Sequence, residues 1–325
     1  MSHVDAPIER LSPVPLPENL NSVQPGGGVC MSLELAWGRC RRWWLRTFRR
    51  GYVRRMEEKR QGSTDGAPHD VLDSRDLKFC RNQCTASWNA ADDPFSWRER
   101  IPLARWGLAE VQIGGWPLLA LTIAAALLPG AYAAIAIVPG VVLSWWLWFY
   151  RDPHRVVPQD AGLLVSPADG KLVEITELDH HDFVGGPAVR IGIFLSIFNV
   201  HINRAPCRSR VIKLHYSPGL FLNALDPESA IKNENLWIGF EEEAAPHRKI
   251  VVRQIAGLLA RRIVCGLRPD EVIERGVKFG MIKLGSRTEM IIPAEAGLSI
   301  EAGIGQKLSP GSTILARYTA VDRDE

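Results

Sequence analysis

From Val111 to Tyr150 the chain carries no charged side chain. A run of that kind must leave water, into lipid or into a protein core. Trp116 to Leu128 is apolar, Pro129-Gly130 follows, and Ala131 to Tyr150 is apolar again with Pro139-Gly140 inside it. About 20 apolar residues cross a hydrocarbon core, so the second stretch is long enough and the first is short. Pro-Gly marks a turn, and the two stretches read as a tight hairpin with both ends on one side. A pair of buried core helices is the competing reading. Trp145, Trp146, Trp148, Phe149 and Tyr150 favour lipid, because aromatic rings gather at the membrane–water interface. Arg98, Arg100 and Arg105 precede the run, Arg151 and Arg155 follow it, and the turn is uncharged. By the positive-inside rule both flanks, and everything after Arg151, belong on the cytoplasmic side of the cell membrane.

The rest of the chain reads as an ordinary folded protein. Of its 325 residues 46% are hydrophobic and 23% charged, which excludes full disorder or a fibre. A mean hydropathy of -0.04 excludes a polytopic membrane protein. The 39 basic and 36 acidic side chains leave a net charge of +3, too balanced to argue for nucleic acid. Cysteines at 30, 40, 80, 84, 207 and 265 are too few and scattered for a disulfide framework. Cys80 and Cys84 are spaced like one edge of a metal site, but no second ligand pair follows, so no metal is expected.

Residues 1–110 form an N-terminal extension expected to be largely disordered. Within it, residues 37–60 carry Arg39, Arg41, Arg42, Arg46, Arg49, Arg50, Arg54, Arg55, Lys59 and Arg60 against Glu57 and Glu58. Trp44, Phe48, Tyr52 and Met56 recur every four residues and predict one apolar helical face. Such a basic amphipathic segment fits an anionic membrane surface, and equally a solvated helix without a role. The hairpin is assigned to 111–150. Residues 151–325 read as a β-rich body of an α+β protein, sandwich- or barrel-like, with short Val- and Ile-rich runs at Leu163 to Val165, Lys171 to Ile175, Val189 to Phe198, Ile250 to Val252 and Ile291 to Ile292. One helix is predicted around Gln254 to Cys265, where Ile255, Leu258, Leu259 and Ile263 share a face. The pieces SPADGKLVEI, LRPDEVIERGVKFGMI and AGIGQKLSPGSTILA each pair a turn with a β run and resemble the hammerhead units of lipoyl- and biotinyl-type domains.

Chemistry is harder to read from spacing. Gly285-Ser286 lies between two β-like runs; a Gly before a Ser admits conformations that a self-attacking peptide bond needs, although such a pair is usually a turn. Asp169 in SPADGK reads as a turn residue, His201 in FNVHINRAP as a core residue after a strand, and His180, His181 and Asp182 as a polar turn. His215 and His247 have no partner by spacing. A Ser, a His and an Asp make a triad only through geometry.

Residues from about 111 to 322 resemble the phosphatidylserine decarboxylase proenzymes of the short, membrane-hairpin form. Six pieces match in order: WFYRDPHRVVP, LLVSPADGKL, IGIFLSIFNVHINRAP, YSPGLFLNA, VRQIAGLLARRIVC and FGMIKLGSRTEMIIP. The resemblance implies self-cleavage between Gly285 and Ser286, giving a β chain 1–285 and an α chain 286–325 that stay associated. Ser286 becomes the pyruvoyl cofactor. His201 is implied as the base and as the proton donor, with Asp169 holding its tautomer. The pyruvoyl ketone then forms a Schiff base with phosphatidylserine in an anionic membrane and releases phosphatidylethanolamine and CO2, a step of phospholipid biosynthesis. Two departures stand out. Arg204 occupies the place of a second His in long-form relatives, and ESAIKNENLW replaces a more usual Asn-Glu-Arg-Asn run, which leaves the part of Asn233 and Glu234 open. Arg151, Arg190, Arg204 and Arg208 are candidates for phosphate or carboxylate, and Pro218 to Leu222 could dip into lipid. A homo-oligomer is compatible with all of this. Two rival readings are a membrane-anchored serine hydrolase using Ser286, His201 and Asp169, which lacks a G-x-S-x-G elbow, and a lipoyl-type carrier using an exposed lysine near Lys283.

Overall fold

The computed structural model describes residues 10–16, 29–226, 228–258, 262–283 and 285–319. They divide into two compact units. One comprises Ser22–His154 with Ile197–His201, the other Met1–Asn21, Arg155–Ser196 and Ile202–Glu325.

The first unit is helical. Helices α1 (Val29–Phe48) and α2 (Arg50–Glu58) are separated by Arg49, whose backbone leaves the helical region at φ -129° and ψ 39°. The apolar face expected to run through both is broken there: Trp44 and Phe48 are exposed, whereas Met56 is buried and Trp88 Nε1 donates to its carbonyl at 2.8 Å. The expected disorder of the extension gives way over residues 29–104. Arg41 pairs with Asp73 and Asp76, Lys78 with Glu34, and Lys59 with Asp92, around a small cluster of Val71, Leu77, Cys80, Cys84 and Ala86. Opposite charges distant in sequence satisfy one another here, which composition cannot reveal. Cys80 and Cys84 are part of that cluster, and burial pushes the Cys80 thiol up to about 12.

Helices α3 (Leu108–Ala126) and α4 (Ile137–Phe149) form the hairpin, with Gly130 at φ 58° in the turn and a 3-10 segment, Gly130–Ala136, leading into α4. Arg105–Ala126 and Gly130–Phe149 are each long and apolar enough to cross a membrane. Pro139 stands in the first turn of α4, where its missing N–H costs no helical bond. The two ends of the hairpin are clamped: Ala104 N donates to Tyr150 O at 2.6 Å and Asp152 N to Pro102 O at 2.9 Å.

The second unit is built of strands: β1 (Leu163–Val165), β2 (Gly170–His181), β3 (Gly186–Leu195), β4 (Ile202–Arg204), β5 (Ser209–Ser217), β6 (Asn235–Glu242), β7 (Lys249–Ile255), β8 (Ile263–Cys265), β9 (Val272–Ile273), β10 (Lys278–Ile282), β11 (Ser286–Pro293), β12 (Leu298–Ile300), β13 (Lys307–Leu308) and β14 (Ile314–Tyr318), with one helical turn, α5 (Ser229–Lys232). An eight-stranded antiparallel sheet runs β13-β2-β3-β11-β7-β6-β5-β9, beside the three-stranded sheets β1-β14-β12 and β4-β10-β8. The helix expected over Gln254 to Cys265 is absent from the described part of that stretch. Gln254 and Ile255 end β7, paired with β6 and β11, and Ile263 to Cys265 form β8; residues 259–261 lie outside the described residues. Pairing on both sides of β7 overrides the local helical spacing. The three turn-and-strand pieces fall in β2, in β9 with β10, and in β13 with β14.

Alternation gives the large sheet two different faces. Ile191, Ile193 and Leu195 of β3, Met290 and Ile292 of β11, Val252 of β7 and Ile238 of β6 face the main core. The other face of the same strands is charged. Glu174 lies against Arg190 at 2.7 Å and against Arg287; Arg287 Nε reaches Glu289 at 2.9 Å, and Arg253 lies 3.4 Å from Glu289. Glu289 is fully buried between two guanidinium groups. Removing one partner of a buried pair leaves the others desolvated and uncompensated, at about 3–5 kcal/mol. Glu289→Ala is therefore expected to lower the unfolding free energy of the purified protein by an amount in that range, read from a urea titration followed by tryptophan fluorescence.

Candidate active site

Ser286 begins β11, the strand flanked by β3 on one side and β7 on the other, and sits opposite Leu195 of β3. Its side chain is fully buried, and its Oγ has no hydrogen-bond partner among the described residues. A buried hydroxyl without a partner carries a free-energy cost. The preceding Gly285 has φ 65°, a left-handed conformation that a side chain would strain. Its carbonyl group lies against Gly257, where an added Cβ would overlap the carbonyl oxygen. The peptide bond between 285 and 286 thus joins a left-handed glycine to an extended, fully buried serine.

The segment carrying Gly257 is held by Asn233. The Asn233 side chain donates to Ala256 O at 2.8 Å and Leu222 O at 2.9 Å, and accepts from Leu222 N at 2.8 Å. This is a structural part for Asn233 that its position in the sequence left open. Glu234 beside it is buried; burial raises its carboxyl above the usual range, and a hydrogen bond from Tyr216 offsets part of that rise. Below Ser286 on the same sheet face, Thr288 receives Asn203 Nδ2 at 3.2 Å, and Gln254 Nε2 donates to Asn203 Oδ1 at 2.9 Å. All three are fully buried, so a polar network stiffens the core directly beneath the serine. Sequence reasoning missed it, because Asn203, Gln254 and Thr288 come from three separate strands.

Asp169 precedes β2 and lies 3.7 Å from the Arg155 guanidinium. Lys171 is opposite Phe194, and Leu195 is opposite Ser286. Asp169 and Ser286 therefore stand at the same end of the sheet with β3 between them, two strand spacings or on the order of 10 Å apart. His201 belongs to the segment Ile197–His201, which groups with the helical unit. The covalent chain places it six residues after Leu195 and directly before Ile202 of β4. It is fully buried, with its ring 4.6 Å from that of Phe149, the last residue of α4. Nδ1 lies 2.9 Å from the Asn199 carbonyl, so Nδ1 carries the proton and Nε2 the lone pair of the neutral ring. Backbone therefore faces His201 at Nδ1. Burial lowers the imidazole to about 4, against a gain from the Asn199 bond and with a further decrease from the charge of Arg151.

The other sequence candidates are placed elsewhere. Arg151 spans the Trp148 ring at 4.1 Å and donates to Trp148 O and Phe198 O at 2.8 and 2.9 Å, which fixes the segment bearing His201. Arg190 is on the charged sheet face opposite that of Ser286. Arg204 donates to Gly276 O at 3.0 Å, and Arg208 makes an exposed pair with Glu274. His215 is exposed on β5, and His180 pairs with Asp182 at the surface. Lys283 is buried, contrary to the carrier reading, which needs an exposed lysine.

Comparison with known proteins identifies the family. The sequence profile described as phosphatidylserine decarboxylase matches residues 142–316. A phosphatidylserine decarboxylase proenzyme of Rhodopirellula baltica is 48% identical over 243 residues, 74% of this chain and 99% of that protein. Proenzymes of the same name from Desulfotalea psychrophila and Symbiobacterium thermophilum are 43% and 39% identical, over 54% and 62% of this chain and 79% and 93% of theirs. With more than half of the chain inside the profile and nearly the whole length of a relative covered, this chain belongs to the phosphatidylserine decarboxylase family.

Proposed function

We propose that the chain cuts itself between Gly285 and Ser286 and then decarboxylates phosphatidylserine to phosphatidylethanolamine and CO2 with the pyruvoyl group so formed, as a step of phospholipid biosynthesis. The observation that carries the reading is the buried, unpartnered Ser286 Oγ next to a left-handed Gly285. His201 takes the hydroxyl proton at Nε2, and Oγ attacks the Gly285 carbonyl carbon. His201 hands that proton to the residue-286 nitrogen, the C–N bond breaks, and the amide becomes an ester with a free amine. Loss of the residue-286 Cα proton then expels the ester oxygen, leaving Gly285 as a carboxylate and residue 286 as dehydroalanine. Water replaces its nitrogen, which departs as ammonia. A hydroxyl needs a base to become a nucleophile, and an imidazole lowered to about 4 is neutral and ready at pH 7. Asp169 contributes negative charge that favours the imidazolium once the proton has moved.

The site suits an α-keto group at residue 286, since the oxygen there is buried and the Gly285 side is lined by backbone. When formed, the pyruvoyl group supplies an electrophilic ketone that takes up the electron pair left by departing CO2. His201 returns a proton to the product carbon. The α chain 286–325 contains β11 and β14, each hydrogen-bonded on both sides to strands or between strands of the same unit, and this supports continued association with the β chain 1–285. A lipid substrate is supported by exposed Leu220, Leu225 and Leu258 on loops and Ile231 on α5, around the segments that Asn233 ties beside Gly257. Tethering by the hairpin, with the body on the cytoplasmic side of the cell membrane, follows from the basic residues at both hairpin ends.

The following outcomes test the proposal. Wild-type protein expressed alone should give two chains whose masses match 1–285 and pyruvoyl-286–325, and Ser286→Ala should remain one chain; an intact wild-type chain that still decarboxylates phosphatidylserine would refute it. His201→Ala should slow cutting by about 10²–10⁴-fold, and Asp169→Asn by less, because only charge is removed. Gly257→Val pushes the Gly285 carbonyl away and should slow cutting by about 10²-fold on a denaturing gel. The cutting rate should also hold as pH falls past 6.5 and drop only as the neutral imidazole is lost near about 4. An acid limb near 6.5 would mean that a solvent-exposed histidine is the base. The same shift has a stability consequence: the unfolded chain binds the proton first, so folding stability decreases as pH falls from about 6.5 to about 4.

A further inference from the structure

Helix α1 is inverted relative to an ordinary surface helix. Val29, Leu33, Trp37, Cys40, Trp44 and Phe48 recur at intervals of three and four and form one stripe. The large apolar members of that stripe are exposed, from 45% for Trp44 to 79% for Val29, and Trp43 on its border is 65% exposed. Two of its arginines turn inward instead of facing water. Arg41 and Arg42 are largely buried against Asp73 and Asp76. Surface helices bury the apolar stripe and expose charge, so a helix arranged the other way presents its stripe to something apolar.

The surroundings identify what that is. From Leu35 to Met56 there is no acidic residue, and Arg39, Arg46, Arg49 and Arg50 are exposed along and beyond the stripe. Indole and phenyl rings bordered by guanidinium groups match the headgroup layer of an anionic bilayer, where aromatic rings and arginines are both favoured. The start of α1 also meets the start of α3: side-chain atoms of Cys30, Glu34 and Glu110 lie within 4.8 Å of one another, and Glu110 is in the first turn of α3. That is the level at which the charge-free run begins, and therefore the level of a membrane surface. We propose that α1 lies in the headgroup layer of an anionic membrane beside the hairpin, as a second attachment that the 142–316 family region does not contain.

Cys40 reports on this directly, because it is exposed on the stripe while Cys80, Cys84, Cys207 and Cys265 are buried. In a Cys30→Ser background, the full chain is labelled at Cys40 with a fluorophore and reconstituted into vesicles of phosphatidylcholine with and without phosphatidylglycerol. With phosphatidylglycerol present, lipid-borne nitroxide near the headgroups should quench the label and aqueous iodide should not. Arg39→Gln and Arg49→Gln should each lower the docked fraction about fivefold, as high salt should. Trp37→Ser combined with Trp44→Ser and Phe48→Ser should release the label to iodide while changing the thermal unfolding of the chain little, since those exposed side chains lie outside the buried clusters and the ring contacts of Phe48 are to its neighbours Trp43 and Trp44 on the same helix. Iodide reaching the label equally in both vesicle types would overturn the proposal. So would protection that depends on protein concentration and yields Cys40–Cys40 cross-links, which would make the occupant a second copy of the chain.

Discussion

Pairing of β11 on both edges is the constraint on which the catalytic unit depends. A strand hydrogen-bonded to β3 and to β7 cannot shift register without moving every side chain on it to the opposite face. Ser286 is the first residue of that strand, so its depth, its face and the direction of the Gly285 peptide are set by the whole sheet. The two faces enforce the register together. Apolar Met290 and Ile292 anchor one side, and Arg287 and Glu289 are committed to Glu174 and Arg253 on the other. The strand that Ser286 opens lies inside the sheet, with a partner on each edge.

Against that rigidity, the first peptide before β11 departs from extended geometry. Gly285 is left-handed, and Gly257 leaves room for its carbonyl. Neither feature helps the sheet, and Asn203, Gln254 and Thr288 spend polar groups in the core next to the same point. Local departures of this kind gather where a fold serves chemistry. In the helical unit a comparable arrangement surrounds His201. Phe149 packs on its ring, Arg151 fixes the segment, and Asn199 sets the tautomer, so the end of the apolar hairpin and the imidazole form one packed group.

Much of this was legible beforehand. The charge-free run announced two apolar helices, and short Val- and Ile-rich runs bounded by turn residues announced strands at Leu163, Lys171, Val189, Ile250 and Ile291. The Gly285-Ser286 pair stood out only through ordered blocks shared with a family. Three readings were corrected by packing. A helical spacing at 254–265 lost to the hydrogen bonds of β6 and β11; a polar extension proved folded around ion pairs far apart in sequence; and the continuous apolar face of 37–60 broke at Arg49.

By itself, the sequence determined what is periodic or contiguous: the apolar hairpin, its basic flanks, the β-rich body and the serine at the head of a strand. Those properties depend on neighbours within a few residues. Tertiary structure alone decided which groups meet across long separations. It put Gly257 against the Gly285 carbonyl, Asn199 on His201 Nδ1, and Asp73 and Asp76 on the inner face of α1, so that the aromatic stripe was left outside. Burial lowers an imidazole or leaves a hydroxyl unpartnered only when distant segments close over it, and no local pattern encodes that closure.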